Sequence, residues 1–302
     1  MAKLSIFIDS TGDLDAELRK KYSIDYCAMS ISFHDPADNK DHEIRASLDW
    51  DQGYSPKQFY DVMRTGTKIY TAQVTRQEFL DRFVPALEAG NDVLYIACSS
   101  SLSRSIDLAN QVAVELRERY PERKIVCVDS LISGYAQGDM AIRARKMSEE
   151  GKTIEEIASW LEENKLKFNQ WATTENLSYL KRAGRVKASS AFFGNILAIK
   201  PILISDAAGN NYAIKKVKGR KASLMEIIKD TIDFAEDIEH QTIYVAHADD
   251  LEGAEFCVEQ LKKLAHPQAI HIGNIGPIIG GSTGPGTLAI YSFGKKVEVI
   301  GQ

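Results

Sequence analysis

Short apolar runs alternate with amphipathic stretches through the first half of the chain. The runs LSIFID, CAMSISF, DVLYIACS and KIVCVD have the length and β-branched character of buried strands, and helical patterns separate the later ones. Strands that alternate with helices in this way form parallel sheets. The pattern therefore predicts a parallel-sheet α/β domain over residues 1–165.

After about residue 165 the pattern changes. The pattern predicts a strand over KFNQWATT and a short helix over NLSYLKRAG. It also predicts two strands around a Gly/Asn turn in PILISDAAGNNYAIKKVKGR, which is typical of a hairpin. A helix over 222–239, the strand TIYVAH, the helix LEGAEFCVEQLKKL and a closing strand pair, TLAIYSF with KVEVIG, complete the series. We expect a second, smaller α/β domain over 166–302, with antiparallel pairing and with a ligand tunnel between the two domains.

Two helix starts carry the capping-box pattern, in which a hydroxyl and a carboxylate satisfy amides at the helix end. They are Thr75 with Glu78 and Thr153 with Glu156. The polar segment 34–54 lacks periodicity, which predicts a long loop or a small excursion from the domain.

The composition is that of an ordinary intracellular globular protein. Hydrophobic residues make up 44%, charged residues 26%, and the formal net charge is -5, which argues against a nucleic-acid partner. The opening, MAKLSIFIDSTGDL, reaches acidic residues too early for a secretory leader. We therefore expect a cytoplasmic protein with at most transient membrane contact, and buried rather than bridged or metal-binding cysteines.

Hydroxyl-rich turns follow three of the predicted parallel strands. Such turns meet at one edge of a parallel sheet, where open α/β sheets bind ligands, and their hydroxyls and amides suit a carboxylate or phosphate. Helix capping explains any one of them equally well. The turns contain Ser10 and Thr11, then Ser101 and Ser103, and then Ser130.

Two further segments have the composition of a ligand site. In GNIGPIIGGSTGPGTLAIY, glycines surround Ser282 and Thr283 and allow close backbone approach, although the spacing matches no nucleotide-binding motif and also suits a plain turn. In residues 179–203, basic residues precede an apolar stretch, a combination that suits an amphiphile, core packing or solvated surface charge. The basic residues are Lys181, Arg182 and Arg185, and the apolar ones Phe192, Phe193, Ile196 and Leu197.

The sequence supports a catalytic site less well than a binding site. Of the six histidines, His247 alone stands at the end of a predicted strand, where a base could act, and no metal-ligand spacing joins it to cysteines or carboxylates. An enzyme with Ser103 or Ser10 as nucleophile and His247 as base remains an alternative, a hydrolase of small anionic or lipid esters.

Six segments, in order along the chain, resemble the motifs of the bacterial DegV family. The resemblance covers essentially the whole sequence. The segments are IDSTGDL (8–14), TAQVT (71–75), SSSLSRS (99–105), VDSLISGYAQG (128–138), YLKRAGRV (179–186) and IGPIIGGSTGPG (275–286).

The resemblance implies a protein that binds a long-chain fatty acid in an apolar tunnel and has no catalytic residues or cofactor of its own. Some members of the family serve as the acyl-binding subunit of fatty acid kinase and present the carboxylate to a separate ATP-dependent subunit. By the same resemblance Thr71 and Ser103 match the hydroxyl ligands of the carboxylate, and Arg185 matches a basic residue beside them.

The sequence departs from the family pattern at the head-group motifs. Ser282 stands where a histidine is common, Ala72 and Val74 replace serine and proline, and Ala183 replaces a glycine. Arg104 replaces the glycine after Ser103, and its guanidinium either pairs with a carboxylate or points to solvent. Besides fatty acid binding and ester hydrolysis, a third hypothesis is binding of a different amphiphile, because Ser282 replaces the common histidine.

Overall fold

The computed structural model describes residues 3–187 and 199–301. The first strands and helices run to residue 164. The strands are β1 (Leu4–Asp9), β2 (Ile24–Cys27), β3 (Ser30–Asp35), β4 (Lys40–Arg45), β5 (Tyr70–Ala72), β6 (Asp92–Ala97) and β7 (Ile125–Asp129). The helices are α1 (Ala16–Tyr22), α2 (Pro56–Arg64), α3 (Arg76–Glu88), α4 (Ser105–Arg119), α5 (Tyr135–Glu149) and α6 (Ile154–Asn164).

The second group begins at residue 168. Its strands are β8 (Phe168–Thr173), β9 (Val186–Lys187), β10 (Ile199–Ser205), β11 (Asn211–Lys218), β12 (Thr242–His247), β13 (Ala269–Asn274) and β14 (Leu288–Phe293). Its helices are α7 (Leu177–Ala183), α8 (Arg220–Phe234), α9 (Leu251–Ala265) and α10 (Pro277–Thr283). The predicted residues Phe192, Phe193, Ile196 and Leu197 lie outside the described residues.

The first sheet is parallel, as its alternating pattern predicts. Its strand order is β2-β1-β6-β7, and all three neighbouring pairs run parallel. The carboxyl ends of β1, β6 and β7 therefore place the three hydroxyl-rich turns at one edge. Asp9 fixes two of these turns to each other, because its Oδ2 accepts the amide of Cys98 at 2.9 Å.

A small antiparallel sheet of order β4-β3-β5 accounts for the polar segment 34–54. The hairpin of β3 and β4 pairs Phe33 with His42, and β5 adds to the other side with Thr71 opposite Ile31. No strand pattern is visible in this segment because Lys40–Arg45 is polar or charged at nearly every position. β5 is an exposed edge strand.

The third sheet is mixed and holds the described strands from β8 onward. Its order is β13-β12-β14-β8-β10-β11-β9, with antiparallel pairing throughout the middle and parallel pairs at both ends. The predicted hairpin is confirmed as β10 and β11. Division of the chain into domains at residues 165 and 166 stays a proposal, which this distribution of strands supports.

Three local predictions were wrong. CAMSISF is not one strand of the parallel sheet, because Cys27 ends β2 and Ser30–Asp35 forms β3 of the small antiparallel sheet. KVEVIG forms no strand: its backbone makes isolated bonds, such as the Val297 amide to the Leu166 carbonyl at 2.9 Å. Thr153 and Glu156 form the predicted capping box. At α3 the Thr75 hydroxyl accepts the Glu78 amide, but the Glu78 side chain does not bond back to the Thr75 amide. The Glu78 carboxylate instead accepts the Ala28 amide at 2.9 Å and pairs with two arginines, Arg45 and Arg82.

The cysteines and the apolar character of the helices are two further features of the structure. All four cysteines are free, and Cys27, Cys98 and Cys257 are buried. Within residues 3–187 and 199–301, no helix combines the length and the apolar character that crossing a bilayer requires.

Candidate functional site

A cavity of about 420 Å³ lies between the carboxyl edge of the first sheet and one face of the third. Polar and apolar side chains both line it, and the apolar part includes Met29, Leu102, Leu180, Leu203, Ala172, Ala289, Ile275, Ile278 and Ile279. Among the described residues that line it, Arg104 and Arg185 are the charged side chains, and none is acidic or a histidine. A cavity that combines apolar side chains with two arginines suits an anionic amphiphile.

Ser103 lies at the rim of the cavity with its hydroxyl oriented by a residue that the sequence analysis missed. Its oxygen accepts the Ser105 amide at 3.2 Å and lies 2.9 Å from the Ser105 hydroxyl. Ser105 is buried, and its own oxygen accepts the Val74 amide at 3.2 Å. When Ser105 donates to Ser103, the Ser103 proton is free for a ligand. The S-x-S spacing in SLSRS is the signal that could have indicated this pair.

Thr71 lies on the exposed edge strand at the same rim. Its side chain is exposed, and within the described residues its hydroxyl has no hydrogen-bond partner. An exposed hydroxyl without an internal partner is available as a donor. Thr71 and Ser103 thus both line the rim, each able to offer a proton.

The two arginines differ in what their guanidinium groups contact. Arg185 donates from Nε to the Leu102 carbonyl at 3.2 Å and from Nη1 to the Ala183 carbonyl at 3.3 Å, and both bonds leave its charge uncompensated. Arg104 forms an ion pair with Asp107, and its side chain is 79% exposed. To bind a carboxylate Arg104 has to leave Asp107, so the geometry favours Arg185 as the ligand.

Ser282 and Thr283 line the cavity from α10, with their protons already committed. The Ser282 hydroxyl donates to the Ile278 carbonyl at 3.3 Å, and the Thr283 hydroxyl to the Ile279 carbonyl at 3.0 Å. Hydroxyls on helices commonly bond the carbonyl four residues earlier. To hold a carboxylate, either residue has to turn its proton away from the helix.

The four residues predicted to support the loop all make internal hydrogen bonds. Ser10 donates to the Ala46 carbonyl at 2.7 Å, and Ser130 to the Ile132 carbonyl at 2.9 Å; neither lines the cavity. Thr11 and Ser101 do line it. Thr11 bonds Asp9 and Gln137, while Ser101 donates to the Ala208 carbonyl at 2.6 Å and so joins the serine loop to the β10–β11 hairpin.

Comparison with known proteins shows which family the chain belongs to. The model described as "Uncharacterised protein, DegV family" matches residues 3–295. The chain belongs to the DegV family. A DegV domain-containing protein of Clostridium perfringens is 35% identical over 300 residues, which cover 99% of this chain and 100% of the relative.

Solved DegV structures have the same fold. A structure of a DegV lipid-binding protein from Thermotoga maritima superposes with a TM-score of 0.82 at 26% identity, covering 98% of this chain and 100% of the other. A structure of a DegV family protein from Thermus thermophilus, described as showing fatty acid binding, has a TM-score of 0.84 at 25% identity, with 97% and 100% coverage.

One departure from the DegV motifs has a visible structural use. Val74 stands where proline is common, and its amide donates to the Ser105 hydroxyl, which in turn contacts Ser103. A proline has no backbone N–H and cannot make this bond. The substitution therefore adds a link between the segment after β5 and the serine loop.

The hydrolase alternative finds no support in the geometry of this DegV protein. His247 Nδ1 accepts the Asp250 amide at 3.2 Å, and burial lowers the pKa of this histidine. His247 does not line the cavity, and the Ser103 hydroxyl contacts the Ser105 hydroxyl rather than a histidine. The Ser10 hydroxyl is committed to Ala46 and also accepts the Met29 amide at 3.0 Å.

A group able to hold a metal ion lies away from the cavity. Ligand atoms of Asp35, Asp38 and His42 all lie within 4.8 Å of one another in the small antiparallel sheet. Each already has a protein partner: Asp35 accepts the Tyr54 hydroxyl at 2.8 Å, and Asp38 contacts His42 at 3.1 Å. These hydrogen bonds account for the arrangement without an ion.

Proposed function

We propose that this DegV protein binds a long-chain fatty acid, with the acyl chain in the cavity between the sheets and the carboxylate at the rim. The observation that carries the proposal is the composition of the cavity: aliphatic side chains, the hydroxyls of Thr71 and Ser103, an arginine without an ion pair among the described residues, and no acidic side chain among the described lining residues. The fatty acid binding described for the Thermus thermophilus relative supports it.

The apolar walls supply most of the driving force. Each buried CH₂ contributes roughly 0.8 kcal/mol, so a dozen methylenes bring on the order of 10 kcal/mol before the cost of ordering the chain. The head group then has to be oriented and kept paired, because an unpaired buried carboxylate costs several kcal/mol. Thr71 and Ser103 donate hydrogen bonds, and Arg185 supplies the charge.

The position of the carboxylate suggests how the bound acid is used. Thr71 and Arg185 are exposed, so a head group held between them is open to a second protein. We propose a carrier or the acyl-presenting subunit of a fatty acid kinase, working in the cytosol with no cofactor, no nucleic-acid partner and at most brief membrane contact. In this role the chain itself has no catalytic residue, and an ATP-dependent partner performs the chemistry.

Displacement of a fluorescent fatty acid tests the proposal. Unlabelled palmitate or stearate should displace the probe at one site per chain, and the matching fatty alcohol should displace it less well because it lacks the charge that Arg185 pairs with. A matched control is the Ser159→Ala variant, since Ser159 lies on the exposed face of α6 and bonds Glu163. Failure of both acids to displace the probe would refute the proposal.

A further inference from the structure

Two buried hydroxyls line the cavity without a protein partner. Tyr291 on β14 is 2% exposed and Ser133, just before α5, is 5% exposed, and both lie among the lining residues. Neither hydroxyl makes a hydrogen bond to any residue in 3–187 or 199–301. Buried polar side chains almost always have a partner, so an orphan that faces a cavity points to something that binds there.

The phenol oxygen of Tyr291 lies against the turn that carries Ser133. A Cβ added at Gly134 would lie 2.2 Å from the Tyr291 phenol oxygen, so that oxygen rests against the residue next to Ser133. Gly134 has a φ of +67°, a conformation that glycine adopts without strain. Its amide donates to the Thr11 carbonyl at 2.6 Å, which fixes the turn that carries Ser133.

A side-chain amide lines the cavity from the strand beside Tyr291. Tyr291 and Gln170 are direct partners in the β14–β8 ladder, and both line the cavity, so their side chains share one face of the sheet. Gln170 donates from Nε2 to Asn211 Oδ1 at 3.3 Å. Its carbonyl oxygen has no partner in the described part of the chain and remains an acceptor.

This group is distinct from the rim. Tyr291, Ser133 and Gln170 are all more than nine-tenths buried, whereas Thr71 and Arg185 are exposed. Burial raises the pKa of Tyr291 well above its ordinary value, so the phenol stays protonated and can donate. The inner wall thus offers two hydroxyls that donate or accept and one amide oxygen that accepts.

We propose that Tyr291, Ser133 and Gln170 form a second polar subsite that binds a hydroxyl group on the acyl chain, so that the cavity takes a hydroxylated long-chain fatty acid. A hydroxyl both donates and accepts, and it can donate to the Gln170 carbonyl oxygen while it accepts from Tyr291 or Ser133. An unsubstituted chain leaves these groups unpaired or paired only with trapped water. The inference rests on the proposed function and specifies its ligand.

Competition binding with a positional series tests the subsite. Stearic acid and hydroxystearic acids with the hydroxyl at successive carbons compete against a fluorescent fatty acid on the full chain. We expect at least one isomer to bind about tenfold more tightly than stearic acid, as one added hydrogen bond in a buried site allows. The Tyr291→Phe and Ser133→Ala variants should each reduce that ratio to about threefold or less, since each removes one partner of the hydroxyl.

The matched control is Tyr120→Phe, because the Tyr120 hydroxyl contacts Glu88 at 3.2 Å away from the cavity and should leave the ratio unchanged. Thermal unfolding shows which variants fold. If Tyr291→Phe does not fold, the effect of Ser133→Ala on the affinity ratio tests the proposal by itself. The proposal is overturned if stearic acid binds at least as tightly as every isomer, which would mean that water fills the subsite. It is also overturned if the preference persists in both variants. If neither acid type binds at all, the proposed function itself fails.

Discussion

Arg185 donates its Nε–H to the carbonyl oxygen of Leu102 at 3.2 Å. This bond joins the segment after α7 to the serine loop, and it holds a guanidinium beside the residue that precedes Ser103. The Nη1 of Arg185 also donates to the Ala183 carbonyl at 3.3 Å, and the other guanidinium N–H groups have no partner among the described residues and can donate to an anion. The proposed head-group site therefore takes residues from both halves of the chain.

Replacement of the two rim arginines should have unequal effects. Arg185→Ala should weaken fatty acid binding by roughly 1.5–3 kcal/mol, the range for a hydrogen bond to a charged group, while Arg104→Ala should cost about 0.5 kcal/mol or less because Asp107 already pairs with it. Fluorescent displacement in low and moderate salt measures both. Equal losses in the two variants would show that Arg104 leaves Asp107 to bind the ligand.

Removal of a rim hydroxyl should weaken binding without abolishing it. Ser103→Ala or Thr71→Ala should each cost about 1–3 kcal/mol, since the aliphatic walls keep most of the driving force. Isothermal titration with palmitate measures the change, with Ser159→Ala as the control. Unchanged affinity in both rim variants would place the carboxylate elsewhere.

Ser105 should act by orienting Ser103 rather than by contact with the ligand. Ser105→Ala leaves the Val74 amide without an acceptor and frees the Ser103 hydroxyl to rotate, so we expect a loss of roughly 1–3 kcal/mol in stability together with weaker binding. Thermal unfolding and titration separate the two effects. Ser105→Thr keeps the hydroxyl and should bind like the parent chain. Normal binding by Ser105→Ala would contradict the orienting role of Ser105.

Asp13 should make the stability of the protein depend on pH. Its Oδ1 accepts the Gly276 amide at 3.0 Å, its Oδ2 is buried without a partner among the described residues, and burial raises its pKa well above the usual value. Between the unfolded and folded pKa values the folded chain binds more protons. The free energy of unfolding therefore falls as pH rises through that window.

The Asp13→Asn variant removes this ionisation and can keep the bond to Gly276. We expect it to gain stability relative to the parent chain as pH rises, with a larger difference at pH 8 than at pH 4.5. Urea unfolding at both values is the measurement. A difference that is constant with pH would show that Asp13 ionises as readily folded as unfolded.

Sequence patterns predicted the parts of this structure that depend on local chemistry. Apolar runs located β1, β6 and β7, Asn210 and its neighbours located the β10–β11 hairpin, and residues in the turns after β1 and β6 line the cavity. CAMSISF was misassigned because Ala28 and Met29 are buried in the link between two sheets, so the apolar run continues past the end of β2. Polar Lys40–Arg45 was missed because its strand pairs at a solvated edge. The role of Ser105 and the contact of Tyr291 with Gly134 depend on residues distant in sequence, which periodicity cannot bring together.

Native mass spectrometry of the full chain, purified without detergent and followed by lipid extraction, tests the central claim most directly. The account predicts one bound fatty acid per chain, released on denaturation and identified as a long-chain carboxylic acid, and much reduced occupancy in the double variant Ser103→Ala with Arg185→Ala. Empty protein from several expression hosts that also fails to take up added palmitate or stearate would contradict it.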